Sequence, residues 1–202
     1  HLEGPFGFSV KVLPGSDAPI QEETSANGIQ TQVSVSRFIP VPLIRSVFRL
    51  GGRDLQYFEE TGVFCPKAAA EAAVACAKQE DSLIFNGSKA EGIDGLLTAK
   101  GASSIKLTSW DAVGAAAEDL IKAATTLDSV GFPGPYVLAL APGLYNLLLR
   151  RYQQGNMLEI EHVKNIAARG VIKAPCLTKG GLLMTSDRAV AAIVMGQDLM
   201  AG

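Results

Sequence analysis

Histidine is scarce in this sequence: among 202 residues there are two, His1 and His162, which excludes a histidine-rich metal site. Cysteine is scarce as well. Cys65, Cys76 and Cys176 are odd in number and widely spaced. They form neither a CxxC pair nor a disulfide framework, so a reducing cytoplasm is the expected home. Charge of neither sign predominates: 18 Lys and Arg stand against 20 Asp and Glu, a formal net charge of −2. That balance gives no electrostatic reason to bind nucleic acid or an anionic membrane. Long apolar runs are missing too; the longest, 136–141 and 189–195, are too short to span a bilayer. No basic, apolar, small-residue signal peptide opens the chain.

What is present is a large apolar fraction, 48%, in a chain long enough to bury a sizeable core as one domain or two small ones. The stretch GPYVLALAPGLYNLLLRRYQQGN places a short apolar strand before a Pro-Gly turn and a helix. Phosphate sites are often built that way, but this turn is Ala141-Pro142-Gly143-Leu144-Tyr145. Proline offers no N–H, and no Lys-Ser/Thr pair follows to hold phosphate. Pro142 fits as the first helical residue, where a missing donor costs nothing. The segment is scaffold.

Other chemistry is equally thin. Cys176 and His162 as nucleophile and base are outweighed by the simpler reading, a buried thiol and a helix-surface histidine. His162 sits in a helix with no nucleophile elbow anywhere, so no Ser-His-Asp arrangement forms. The acidic pairs Glu59-Glu60, Glu80-Asp81, Glu118-Asp119 and Glu159/Glu161 read as solvated faces. Arg150-Arg151 at a helix end complements the helix dipole, and the single Trp110 reads as a core anchor. The expectation is a protein that is not an enzyme, with no cofactor and no metal.

Along the chain, 8–14 reads as a strand and 29–39 as a second one. In the latter Ile29, Thr31, Val33 and Val35 alternate with Gln30, Gln32, Ser34 and Ser36. About fourteen polar residues lie between, too many for a tight hairpin of about two to five. Either the ribbon lies on its own domain or it projects and pairs with another chain; the marginal stability of an isolated hairpin favours a partner. Pro40 and Pro42 keep the following stretch extended. The clearest helix is 65–87, with Pro66 at its start, alanine through its body and Gly87 after its end. Thr108 and Asp111 have capping-box spacing ahead of a further helix, in which Val113, Ala116, Ala117, Leu120, Ile121, Ala124 and Leu127 recur at helical spacing. Gly131 closes it. A strand at 136–141, a helix after Pro142, a helix over 158–169 stopped by Gly170, and strands near 182–185 and 189–195 complete a mixed α and β order.

Read in sequence, these motifs resemble one family. They are a Gly4-Pro5-Phe6-Gly7 opening, a hairpin arm, Pro42-Leu43-Ile44 before an Arg and a Phe, and Glu80-Asp81-Ser82-Leu83-Ile84-Phe85-Asn86-Gly87 followed by Glu91-Gly92-Ile93-Asp94-Gly95-Leu96. Gly134-Pro135-Tyr136 leading into strand and Pro turn, and a closing Met195-Gly196-Gln197-Asp198-Leu199, complete the set. The order resembles the encapsulins, or linocin/CFP29 family, nanocompartment shell proteins, over almost the whole chain. The resemblance implies an α+β fold of the HK97 phage major-capsid kind. Its parts would be the start of a P-domain at 1–7, an E-loop at 8–39, a P-domain with spine helix at 40–100, an A-domain at 101–185 and a P-domain strand at 186–202. The family's N-terminal helical arm and final strands would be missing.

The resemblance also implies a role. Copies would assemble into a hollow icosahedral cytoplasmic shell enclosing a ferritin-like or peroxidase-type cargo, held by a C-terminal targeting peptide, with neither nucleic acid nor membrane as partner. Iron storage is one use such a shell implies. Tyr152, Gln153, Gln154, Gly155, Asn156 and Met157 would line a pore, with Glu159 and Glu161 nearby favouring cations. Leu199 and Ala201 would touch the cargo peptide. Where some members place a flavin-binding Trp, this chain has the region of Arg53, so no flavin is expected. A phage or prophage capsid protein of the same fold is the alternative, with nucleic acid then inside. A protease or bacteriocin is the alternative of another class.

Overall fold

A computed structural model describes residues 2–7, 12–14, 21–24, 30–33, 38–63, 67–188 and 190–200. Its elements, in order, are β1 (Leu2–Glu3), β2 (Val12–Pro14), β3 (Gln21–Thr24), β4 (Gln30–Val33), β5 (Phe38–Pro40), α1 (Gly52–Thr61), α2 (Lys67–Asn86), β6 (Gly87–Ser88) and β7 (Ile93–Asp94). Then follow α3 (Ala115–Ser129), β8 (Tyr136–Leu140), α4 (Pro142–Leu147), α5 (Glu159–Ile166), β9 (Gly170–Lys173), β10 (Gly181–Thr185) and β11 (Ile193–Val194). Two compact units divide them. One holds 77–87 and 94–193; the other holds 2–76, 88–93 and 194–202.

In the second unit the backbone forms a nested antiparallel ribbon: Val12 pairs with Pro40 and Pro14 with Phe38, while Gln21 pairs with Val33 and Thr24 with Gln30. The segment expected to be loop thus contains β3. The outer strand assignments extend into 8–11, 29 and 34–37, which lie outside the described residues. β1 pairs with β11, and the amides of Met195, Phe6 and Gly7 bond to the carbonyls of Glu3, Met195 and Gly196. A Cβ on Gly4 would fall 2.1 Å from the Met195 carbonyl oxygen, so only glycine fits the opening there. The sequence pattern does not predict α1. It starts on extended Gly51, carries Asp54 in its first turn and ends on left-handed Gly62, whose N–H reaches the Phe58 carbonyl. α2 appears as expected of an alanine-rich run; its expected start at Cys65 and Pro66 lies outside the described residues.

In the first unit β8 is the centre of a three-stranded sheet, antiparallel to β10 and parallel to β9. Both its faces are covered, which is why it reads as an unbroken apolar run. Leu138 and Leu140 pack with Ala116, Leu120, Ile160 and Val163 from the helices and with Trp110 and Leu148 from the turns beside them. Ala139 and Ala141 face Ala174 and Leu177, with Phe85 of α2 against them. Pro142 opens α4 as the sequence predicts. Other boundaries moved: α3 begins at Ala115, α5 is shorter than 158–169, the final strand is two residues long, and β9 was not anticipated.

Candidate functional site

Two buried carboxylates organise the first unit. Asp119 on α3 is almost fully buried. One of its oxygens accepts the Thr108 N–H (2.7 Å), the Thr108 hydroxyl (2.8 Å) and the Trp110 indole N–H (3.0 Å); the other lies 3.6 Å from Lys122 Nζ. Burial alone would raise this carboxyl, but the Thr108 and Trp110 bonds and the Lys122 charge bring it below its ordinary value. Thr108 therefore serves Asp119 and does not cap α3, and Trp110 is indeed a core anchor. The Asp111 carboxylate accepts the Ser109 hydroxyl.

The second carboxylate, Glu159 on α5, has no exposure at all. Its Oε1 accepts the Gly114 N–H at 2.8 Å and its Oε2 meets Arg150 at 3.3 Å. Gly114 has left-handed φ and is the N-cap of α3, with no cap from its own segment. Glu159 thus reaches the N-cap amide as the third helical residue of a capping box would, but from 45 residues further along the chain. Arg150 also donates to the carbonyls of Leu147 (2.8 Å) and Asp111 (2.9 Å). The solvated reading of Glu159 and of Asp119 is therefore wrong, and Arg150 does more than complement a helix dipole.

Between these partners stands the expected pore segment. Its neck is an antiparallel bridge between Arg151 and Leu158. The Glu159 N–H bonds to the Arg150 carbonyl (2.9 Å), and the Tyr152 N–H to the Met157 carbonyl (3.1 Å). The Arg151 guanidinium donates to the Asn156 side chain. Gly155 turns the tip with φ +104. Gln153, Gln154, Gly155, Asn156 and Met157 are exposed; Tyr152 is not. Its ring lies 3.7 Å from where a Gly114 Cβ would stand, and its hydroxyl is 2.9 Å from His162 Nδ1. Burial, and then the Glu159 charge, push the Tyr152 hydroxyl up. Glu161 turns back to accept the Leu158 N–H at 3.0 Å.

The structure does not bring His162 and Cys176 together as nucleophile and base. His162 meets Tyr152, while Cys176 packs at the Ala139 and Leu177 cluster, its thiol pushed up by burial and by Asp81. Leu199 is exposed, and Ala201 lies outside the described residues. Among the described residues no group of three or more His, Cys, Asp or Glu could hold a metal ion. No helix among them is long and apolar enough to cross a membrane.

Comparison with known proteins gives consistent matches. A family model described as encapsulating protein for peroxidase (Linocin_M18) matches residues 1–202. The chain is 31% identical over 211 residues to the type 1 encapsulin shell protein EncA of Myxococcus xanthus, covering 99% of this chain and 72% of that protein. It is 36% identical over 209 residues to a diheme-cytochrome-encapsulin shell fusion protein of Kuenenia stuttgartiensis, covering 100% of this chain and 56% of the fusion. Among solved structures, a virus-like particle from Pyrococcus furiosus superposes with a TM-score of 0.73 at 25% identity, over 95% of this chain and 73% of that one.

Proposed function

The chain belongs to the encapsulin family of shell-forming nanocompartment proteins, with its α+β capsid-like fold, and from that premise we propose that its copies close into a hollow icosahedral shell around a cargo enzyme. The observation that carries this is the match over the whole chain joined to the likeness to a particle-forming subunit. The ribbon of β2 to β5 supports it, because a two-stranded ribbon is marginal on its own and gains stability by lying along a neighbouring copy. Closed symmetric assembly from one chain needs contacts of that heterologous kind. We propose the E-loop, P-domain and A-domain boundaries of the sequence reading as the division of labour within it.

The exposed tip, Gln153, Gln154, Gly155, Asn156 and Met157, is proposed to line an opening in the shell, with Tyr152 as its inward anchor. Glu159 drops out of the cation-attracting role, since it is fully buried and paired with Arg150. The cargo is proposed to be a redox or iron-handling protein held by a C-terminal peptide near Leu199 and Ala201. The names of relatives fused to a diheme cytochrome or a ferritin-like domain support that class. The shell itself is proposed to be non-catalytic and cytoplasmic. The test is light scattering and electron microscopy of the purified protein. Hollow spherical particles are expected, and a monomer at every concentration would sink the proposal. Nucleic acid inside particles from the native source would identify a capsid instead.

A further inference from the structure

We propose that the ion pair between half-buried Arg150 and fully buried Glu159 is the positioning device of the 152–157 loop, fixing its stance against the N-terminus of α3. The proposal concerns the loop's stance and stands whether or not the loop lines an opening.

The geometry is that of a lock with three ends. Arg150 and Glu159 are the residues immediately outside the Arg151–Leu158 bridge, so the ion pair closes the loop at its neck. The Arg150 guanidinium reaches past the pair to the Leu147 and Asp111 carbonyls, while the Glu159 carboxylate reaches past it to Gly114 N–H. Leu147 ends α4, and both Asp111 and Gly114 lie just before α3. The loop is thereby referenced to two helices it does not belong to. Tyr152 adds a second tether through its ring over Gly114 and its hydroxyl at His162.

Burial makes the arrangement selective. A carboxylate without exposure is tolerated only while its charge and lone pairs are satisfied, and both of its oxygens are occupied here. A sideways movement of the neck would strand the Glu159 charge, whereas half-buried Arg150 can turn to water, so alternative loop positions are penalised more than an apolar neck would penalise them. Buried ion pairs contribute little net stability compared with apolar replacements, but they can select one conformation among several.

That distinction supplies the test. Amide hydrogen exchange is followed by mass spectrometry in the assembled protein, on peptides covering 150–160, the start of α3, and β8 as the reference for global opening. Glu159→Gln keeps the shape and one acceptor; Arg150→Met with Glu159→Leu removes both charges together. Under the proposal the hydrogen-bonded amides at the loop's neck, those of Tyr152, Glu159 and Ile160, exchange about tenfold faster or more in both variants, while β8 keeps its wild-type rate, because the opening is local. Neck and β8 rates changing by the same factor, or wild-type neck rates in the double variant, would overturn it. Electron microscopy of the same samples reports assembly separately, so failure of the shell reading is not confused with failure of the lock.

Discussion

Asp119 carries the most calculable consequence in the structure, because its three donors differ in what they can do without it. In Asp119→Ala the Thr108 amide and hydroxyl lose a charged acceptor, but Thr108 is exposed and water replaces part of the loss. The Trp110 indole N–H, on a residue only 3% exposed, has no such recourse. One stranded buried donor costs about 1–3 kcal/mol and each lost charge-assisted bond about 1.5–3 kcal/mol. With partial rehydration at Thr108 the sum is about 3–5 kcal/mol, a large part of the roughly 5–15 kcal/mol that holds a domain folded. Asp119→Asn keeps an oxygen for the indole and loses the charge, so about 1–2 kcal/mol is expected from weaker bonds alone. Trp110 is the only tryptophan, so urea unfolding read by its fluorescence at fixed protein concentration reports the site directly. The carboxyl is held below its ordinary value of 3.8. Its contribution is therefore present above that pH and fades as pH falls below it. The difference in midpoint between wild type and Asp119→Asn should shrink on acidification through that range. An Asp119→Ala midpoint equal to wild type at pH 7, with unshifted emission, would refute the reasoning.

Three further outcomes follow from other parts of the first unit. A Cβ on Gly95 would stand 2.2 Å from Gly87 N, 2.5 Å from Asn86 C and 2.6 Å from Phe85 O; backbone cannot step aside, so Gly95→Ala should cost about 1–3 kcal/mol in urea unfolding. Tyr136 is pushed up to about 12 by burial and then by its bond and charge contact with Asp128. Its contribution is complete below the ordinary value of 10 and is lost as pH rises towards 12, so the alkaline fall in stability should be shallower in Tyr136→Phe, measured by unfolding from pH 9 upward. Leu138, 1% exposed at the centre of the sheet, should cost about 2–5 kcal/mol when cut to Ala, with the thermal midpoint as the check.

The sequence made some of this legible and concealed the rest for definite reasons. β8 was readable because a strand covered on both faces is apolar at every position, and Pro142 marked its end. α2 was readable from alanine content, and Trp110 from its isolation. α1 was not: only Leu55, Tyr57 and Phe58 break a polar decapeptide, and none of them is buried to enforce a period. β9 escaped because Gly170, taken as a helix stop, is also the first residue of a four-residue strand with no room for a pattern. Glu159 is the instructive failure. Its neighbours in sequence suggest a solvated helix face, while its partner amide at Gly114 belongs to a different helix start. Spacing reports local faces; it cannot report a charge satisfied across the fold.

The distribution of burial bears on why such a chain would depend on copies of itself. Every buried hydrophobic residue among the described ones lies between Trp110 and Leu177, inside the first unit, where helices and sheet satisfy one another and two carboxylates are fully bonded. α1 and α2 contain no buried residue, although Leu55 at 48% and Phe58 at 42% exposure are side chains that gain about 1.5–3 kcal/mol each when removed from water. A ten-residue helix and a two-stranded ribbon are marginal alone. In the proposed shell the missing burial would come from neighbours, and mass action would then stabilise these elements as assembly proceeds. One unit would thus fold on its own contacts while the other is completed by association, the division of stability that a subunit needs if it is to be soluble before assembly and fixed in place after it.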